Sequence, residues 1–429
     1  MRIIILNQFF YPDHSATSQL MTDLAESLIE KGIGVTAIAG RGRYDGGGKL
    51  AVREDYRGVR IERAWAMGFG KRTVAGRLAD YLSFYIGATW TLLRQPRHDI
   101  VMALTTPPLI GLVALLVARL RRMRLVALVQ DVYPDIAVAL GTLKAKGLLT
   151  CMLDRLNRLV LRRADRVVVL SECMRRRIVD KVGPEGEARI DVIHNWADGS
   201  HIQPLGEDGS SFRADHNLGD AFVVMFSGNW GRVNDFQTVL EAARLLRERR
   251  DILFLFVGNG GRADELQTFC RRHRLDNVRT LPYQPREMLR FSLAAADVSL
   301  ITLASGLAGL SVPSKTYGIM AAARPILFVG DQASEIASII EEGECGAVIP
   351  SGEGERLAHL IEEWSRDKSP LVEVGRRARM IFEASFDRSQ AVTAYIRSFE
   401  KCLSQSGSTV PRYEQSDAVR SKRSQGTPV

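Results

Sequence analysis

Short apolar runs alternate with amphipathic helical stretches along nearly the whole chain, and the series is written twice. In the first half, residues 3–6, 34–39, 99–104, 124–129, 165–170 and 190–193 read as buried strands. Helical periodicity fills the gaps at 17–31, 77–93, 107–120 and 146–164, and another helix opens at Ser171-Glu172. The first of these helices has Leu20, Leu24 and Leu28 on one face, with Thr17 or Ser18 placed to cap it. In the second half, strands are expected at 222–226, 252–257, 278–281, 298–301 and 326–329. Helices are expected at 236–249, 262–272, 287–295, 334–342, 353–366 and 371–384. Such alternation builds parallel sheets covered by helices, the α/β class. A chain of 429 residues, 46% hydrophobic, can bury two cores of this kind. The domains read as 1–196 and 220–386, joined by a polar Gly/Asp/Ser-rich linker at 197–219. A last helix follows at 387–403, and the polar tail 404–429 is expected to be disordered.

Ligands of parallel sheets bind beyond the carboxyl ends of the strands. Gln130 and Asp131 follow one such strand, where a carboxylate either meets substrate or caps the next helix. Gly228, Asn229, Gly231 and Arg232 follow a second, and Gly258, Asn259 and Gly260 a third. Glycine there lets a phosphate or nucleotide approach the backbone, although any strand–helix turn can use it. The stretch 305–327 is a glycine-rich loop, a short helix and a strand. Pro313 lies just outside the helix, Ser314 suits the N-cap, Lys315 enters the first turn, and Arg324-Pro325 ends the helix. Unpaired N–H groups beside a lysine suit a phosphate. The plainer alternative is a capping serine and a solvated lysine.

Charge narrows the partners. The net charge is +9, and residues 119–181 hold fifteen Lys/Arg against six Asp/Glu. Such a surface attracts anionic lipid, nucleic acid or phosphorylated substrates. No aromatics interleave with these basic residues across a sheet face, so nucleic acid is not expected. The stretch 77–93 carries Tyr81, Phe84, Tyr85 and Trp90, with Arg77 and Arg94 at its ends, which fits either a buried helix or one lying in a membrane interface. The five cysteines show no CxxC spacing and read as free thiols in a reducing compartment. Neither a His pair at i, i+4 nor an Asp-x-Asp occurs, so no metal and no cofactor is expected. No apolar run approaches the roughly 18 residues that a span requires, and no signal peptide is read.

Two α/β units meeting at a cleft would place Arg232 and Lys315 to stabilise a departing diphosphate, the arginine as a fork and the lysine as a point charge. Group transfer from a nucleotide diphosphate follows.

With these residues in view, the chain resembles the retaining glycosyltransferases of family 4, which have the GT-B fold of two Rossmann-like domains facing a cleft. The resemblance covers residues 1–403 and is carried by Phe10-Tyr-Pro-Asp13, Gly228-Asn229-x-Gly231-Arg232, Val257-Gly258-x-Gly260 and Pro313-Ser314-Lys315. Segments 130–141 and 312–322 are similar to the fucosamine-transferase-like, colanic-acid-type enzymes of bacterial polysaccharide assembly. The resemblance implies that Arg232 and Lys315 hold the donor diphosphate and that Gly258 to Gly260 lie near the base. It implies that the first domain takes the acceptor and that the last helix crosses back onto it. It extends substrate contact to Ser15, Ala16, Gln130, Gly228, Asn229, Asn259, Leu310, Ser311, Pro313, Ser314 and Thr316, with Asp131, Arg232 and Lys315 as the catalytic group. Two glutamates common in the family are Leu310 and Gly318 here, a histidine is Gln130, and a glycine pair is Ser15-Ala16. The expected reaction moves an acetamido sugar from a UDP-linked donor to a lipid-linked glycan. The enzyme would be cytoplasmic and peripheral to anionic lipid at the inner membrane face. A silent nucleotide-sugar-binding scaffold and a sugar-nucleotide epimerase are the rivals.

Overall fold

The structure, a computed structural model, describes residues 1–43, 48–68, 74–205 and 210–404. The expected tail beyond Ser404 and part of the 41–49 loop lie outside them. Two sheets organise the chain. The first has eight strands in the order β3-β4-β2-β1-β5-β6-β7-β8. These are β1 (Arg2–Leu6), β2 (Gly34–Gly40), β3 (Arg53–Tyr56), β4 (Val59–Ala64), β5 (Ile100–Ala103), β6 (Arg124–Val129), β7 (Arg166–Val169) and β8 (Ile190–Val192). All pairings are parallel except that of β3 with β4. This hairpin was not anticipated, because Arg53-Glu54-Asp55-Tyr56 is an exposed polar edge with no apolar run to mark it.

The second sheet is wholly parallel, in the order β11-β10-β9-β12-β13-β14. Its strands are β9 (Phe222–Asn229), β10 (Ile252–Asn259), β11 (Val278–Leu281), β12 (Val298–Thr302), β13 (Ile326–Val329) and β14 (Gly346–Ile349). The last was also missed, being only four residues between two helices. The central strands are buried on both faces, so they read as unbroken apolar runs.

Several sequence expectations are corrected. The first helix is Ala16–Glu30; Ser15 occupies the N-cap position and makes no side-chain cap bond. The 197–219 linker contains a helix, Ser210–Asp215. Strands β9 and β10 run through the glycines expected in loops, with Gly258 opposite Gly228 and Asn259 opposite Asn229.

That pairing explains the glycines without a ligand. Gly228 and Gly258 have φ of 136° and 134°. A Cβ at Gly258 would lie 2.1 Å from the Gly228 carbonyl oxygen, and one at Gly260 would lie 2.6 Å from the backbone of Trp230. Gly258→Ala is expected to lower stability by on the order of 3 kcal/mol, read as a drop in denaturant midpoint at unchanged slope.

The two sheets are clasped directly. Arg286 donates to both carboxylate oxygens of Asp23, at 2.8 and 2.7 Å. The last helix, Arg388–Ser404, returns to the first sheet: Arg388 donates to the Asp23 carbonyl at 2.6 Å and Ser398 to Asp191 at 2.7 Å. Tyr395 and Phe399 of this helix are fully buried.

Candidate active site

Each sheet reverses its winding direction once, and there the flanking loops diverge to leave a crevice. In the first sheet the reversal is between β1 and β5; in the second it is between β9 and β12. The loops after β9 and β12 carry Arg232 and the 305–315 stretch, so topology puts those candidates at one crevice. Ser15 and Ala16 follow β1 and Asp131 follows β6, at the carboxyl edge of the first sheet.

The crevices meet across a backbone bridge. Asp131 and Ser311 pair as isolated β-bridge partners, and the Val132 N–H donates to the Leu310 carbonyl at 2.9 Å. Leu310 is buried, so its side chain packs in this contact and presents no hydrogen-bonding group. The Asp131 carboxyl is enclosed. Burial pushes its pKa above the usual carboxylate value, and a hydrogen bond from Ser311 partly offsets that. The Asp131 residue as a whole is partly buried. Gln130 is buried with its side-chain nitrogen unpartnered.

The most informative group is Lys315. Its Nζ is buried without a hydrogen-bond partner, 3.2 Å from the centre of the Phe226 ring. A Cβ at Gly228 would come within 3.2 Å of the same nitrogen, so a glycine there keeps the approach open. Burial alone drives the Lys315 pKa well below its usual value. A cation–π contact is worth about 2 kcal/mol when desolvated, which does not replace the lost hydration of an ammonium. The solvated-lysine alternative is therefore wrong for Lys315.

The helix that begins at Lys315, Lys315–Ala321, is short, and Ser314 makes no side-chain cap bond, contrary to expectation. Thr316 instead donates its hydroxyl to the Pro313 carbonyl at 2.7 Å. The turn is thus held by Pro313 and Thr316, and the lysine supplies the charge. Arg232 is exposed and donates to the Leu140 carbonyl of the first domain at 3.0 Å. Asn229 and Asn259 serve the loops: Asn234 donates to the Asn229 carbonyl at 3.1 Å, and the Asn259 side chain accepts from the Gly260 N–H at 2.8 Å. Sequence reasoning missed Phe226 beneath the lysine, Thr105 beside the Asp131 N–H at 3.3 Å, and Tyr133. The Tyr133 pKa is raised, first by burial, then by Asp131 and Tyr81. No periodicity marks such neighbours, because they come from separate elements.

Two family models cover most of the chain: a glycosyl transferase 4-like domain at residues 17–196 and glycosyl transferases group 1 at 210–381. A relative from Pseudomonas aeruginosa, the probable glycosyltransferase WbjE, is 30% identical over 292 residues, covering 68% of this chain and 72% of the relative. The chain belongs to this glycosyltransferase family. A second relative, from Escherichia coli, is WcaI, named as a glycosyl transferase of colanic acid biosynthesis. It is 25% identical over 358 residues, 80% of this chain and 86% of the relative. These two bear out the colanic-acid-type resemblance drawn from segments 130–141 and 312–322. The crystal structure of Anabaena HepE in complex with UDP and glucose superposes with a TM-score of 0.72 over 93% of this chain and 99% of that one, at 17% identity. That likeness bears on the fold, and it is the GT-B fold. This glycosyltransferase therefore has its cleft between the two sheets described above. Among the described residues no group of His, Cys, Asp and Glu is arranged to hold a metal ion.

Proposed function

We propose that this enzyme transfers a sugar, with retention of configuration, from a UDP-linked donor to a lipid-linked glycan during assembly of a bacterial surface polysaccharide. The observation that carries the donor half is the buried, unpartnered side-chain nitrogen of Lys315 at the strand-end crevice. An isolated charge in that position is costly unless an anion joins it, and a donor diphosphate is such an anion. The names of the two relatives support the polysaccharide setting, and the UDP bound by HepE supports the nucleotide.

In the reaction the bond from the sugar's anomeric carbon to the diphosphate oxygen breaks, and a bond from that carbon to the acceptor hydroxyl oxygen forms. The leaving phosphate takes the acceptor proton. Lys315 balances the charge gathering on the diphosphate as the bond breaks. Arg232 exchanges the Leu140 carbonyl for a phosphate oxygen. Asp131 orients the acceptor hydroxyl from the opposite side of the cleft, and water is excluded by the bridge between Asp131 and Ser311.

The test incubates purified protein with membrane lipid extract and UDP-, GDP- and dTDP-sugars and follows nucleoside diphosphate release. Release with one UDP-sugar, dependent on lipid and reduced about 100-fold or more in Arg232→Ala, is expected. Turnover with a GDP-sugar alone, or equal turnover on a water-soluble sugar, would overturn the corresponding half. Donor binding without any turnover would favour a scaffold.

A further inference from the structure

The helix Val74–Arg94 has an unusual outer side. Leu78, Leu82, Ile86 and Trp90 recur every four residues, which places them on one face, and each is more than half exposed. Phe84 and Ala88, on the opposite side, are fully buried, so the aromatic stretch is both a core helix and an exposed one. The helix Ile110–Arg121 packs beside it and exposes Leu116 and Leu120, at 69% and 72%. The helix Leu148–Arg163 packs next and exposes Leu148, at 88%, with Leu149 and Met152. Three neighbouring helices that each expose large apolar side chains go beyond the scattered leucines of an ordinary surface.

The charges on these three helices are mostly of one sign. The acidic residues of the three helices are Asp80 and Asp154, and both are engaged: Asp80 accepts from the Gly68 N–H at 2.8 Å, and Asp154 pairs with Lys181 at 2.6 Å and with Arg158. Arginines outnumber them, with Arg94, Arg119, Arg155, Arg162 and Arg163 all exposed. Arg94 sits over the Trp90 ring at 4.2 Å, joining a headgroup-level aromatic to a cation.

The same helix reaches the candidate site on its other flank. The Tyr85 hydroxyl donates to the Pro108 carbonyl, and its pKa is raised by burial and then by Tyr81 and Tyr133. Tyr133 in turn feels Asp131, Tyr81 and Arg77. The flank of the helix that carries Tyr81 and Tyr85 therefore lies on the side of Tyr133, the neighbour of Asp131.

We propose that this three-helix face seats the enzyme on an anionic lipid bilayer, with Leu78, Leu82, Ile86 and Trp90 in the interface. A lipid-borne acceptor diphosphate then enters the cleft past Arg77, Tyr81 and Tyr133 towards Asp131. Apolar side chains rimmed by arginines match an acyl boundary under anionic headgroups, whereas a second copy of the chain would bring the same positive charge against itself. The proposal rests on the lipid-linked acceptor reading but is tested without it.

The full chain is sedimented with vesicles of phosphatidylcholine alone or mixed with phosphatidylglycerol. Binding to the anionic vesicles and not to the neutral ones is expected. The double variant Leu82→Glu/Ile86→Glu should reduce the vesicle partition coefficient roughly 100-fold or more, as the transfer of two apolar side chains requires, while leaving UDP affinity unchanged. Retained UDP binding reports an intact fold and separates this outcome from a failure of the transferase reading. Equal partition of the double variant and the unaltered enzyme, or no binding to anionic vesicles, would overturn the proposal. A dimer in sedimentation velocity that the double variant dissociates would overturn it in favour of a second copy as the occupant.

Discussion

Lys315→Met should make the protein more stable and at the same time weaken donor binding ~30-fold or more. Methionine keeps the length of the side chain and can still contact the Phe226 ring, so packing against the ring 3.2 Å from Nζ is preserved. What disappears is a buried amine without a hydrogen-bond partner. Removing an unpartnered buried polar group relieves about 1–2 kcal/mol, and a domain of this size gains roughly 2–4 °C in Tm per kcal/mol. The loss to UDP is larger: leaving the diphosphate without a buried charged partner costs about 2–5 kcal/mol, which is ~30-fold to several thousand-fold in Kd. Thermal melts with and without UDP check both halves. The unaltered enzyme should gain Tm with UDP, whereas the variant starts higher and gains less. A residue kept only for structure would show the opposite sign in the melt without UDP.

Asp131→Asn should lower kcat about 10²- to 10⁴-fold with UDP affinity unchanged, since the side chain belongs to the acceptor side of the cleft. Asparagine preserves shape and can still meet Ser311. The pH dependence has a definite sign. Burial raises the Asp131 pKa, so the carboxylate forms only above the ordinary aspartate range. Activity therefore rises with pH through that elevated pKa, and Asp131→Asn removes this limb. Stability moves the other way: a folded-state pKa above the unfolded one means stability declines as pH rises from the unfolded value through the folded one. Asp131→Asn should thus be neutral to stabilising at pH 7 while slow in turnover. A profile in which the limb survives the substitution would assign the titration to another group.

Much of the fold was legible because parallel strands buried on both faces leave plain apolar runs, as at 252–257 and 326–329. The hairpin at Arg53–Ala64 and the strand Gly346–Ile349 left no such mark, one being polar and exposed and the other short. Positions in the site were legible where topology decides them: a residue just past a parallel strand reaches the carboxyl edge, as Asp131 does. Environment was not legible. Nothing around Lys315 in sequence tells that Phe226, from another strand, lies beneath its ammonium. Glycines 228, 258 and 260 looked like ligand glycines, and the structure shows that close backbone approach at and just past the ends of these two strands already demands them at 258 and 260. The helix Val74–Arg94 shows the same limit, since a period of 3.6 reveals which residues share a face but not which face is covered.

The central claim is that Lys315 waits in a depressed, uncompensated state for the donor diphosphate. Titration calorimetry of UDP into the enzyme, in two buffers of different ionisation enthalpy, tests it most directly. A lysine whose pKa is lowered without ligand and restored by an anion takes up a proton on binding, so UDP affinity falls as pH rises from the lowered pKa towards the ordinary one. The account predicts proton uptake with UDP that is absent in Lys315→Met. Tight UDP binding with no proton exchange, retained in Lys315→Met, would contradict it.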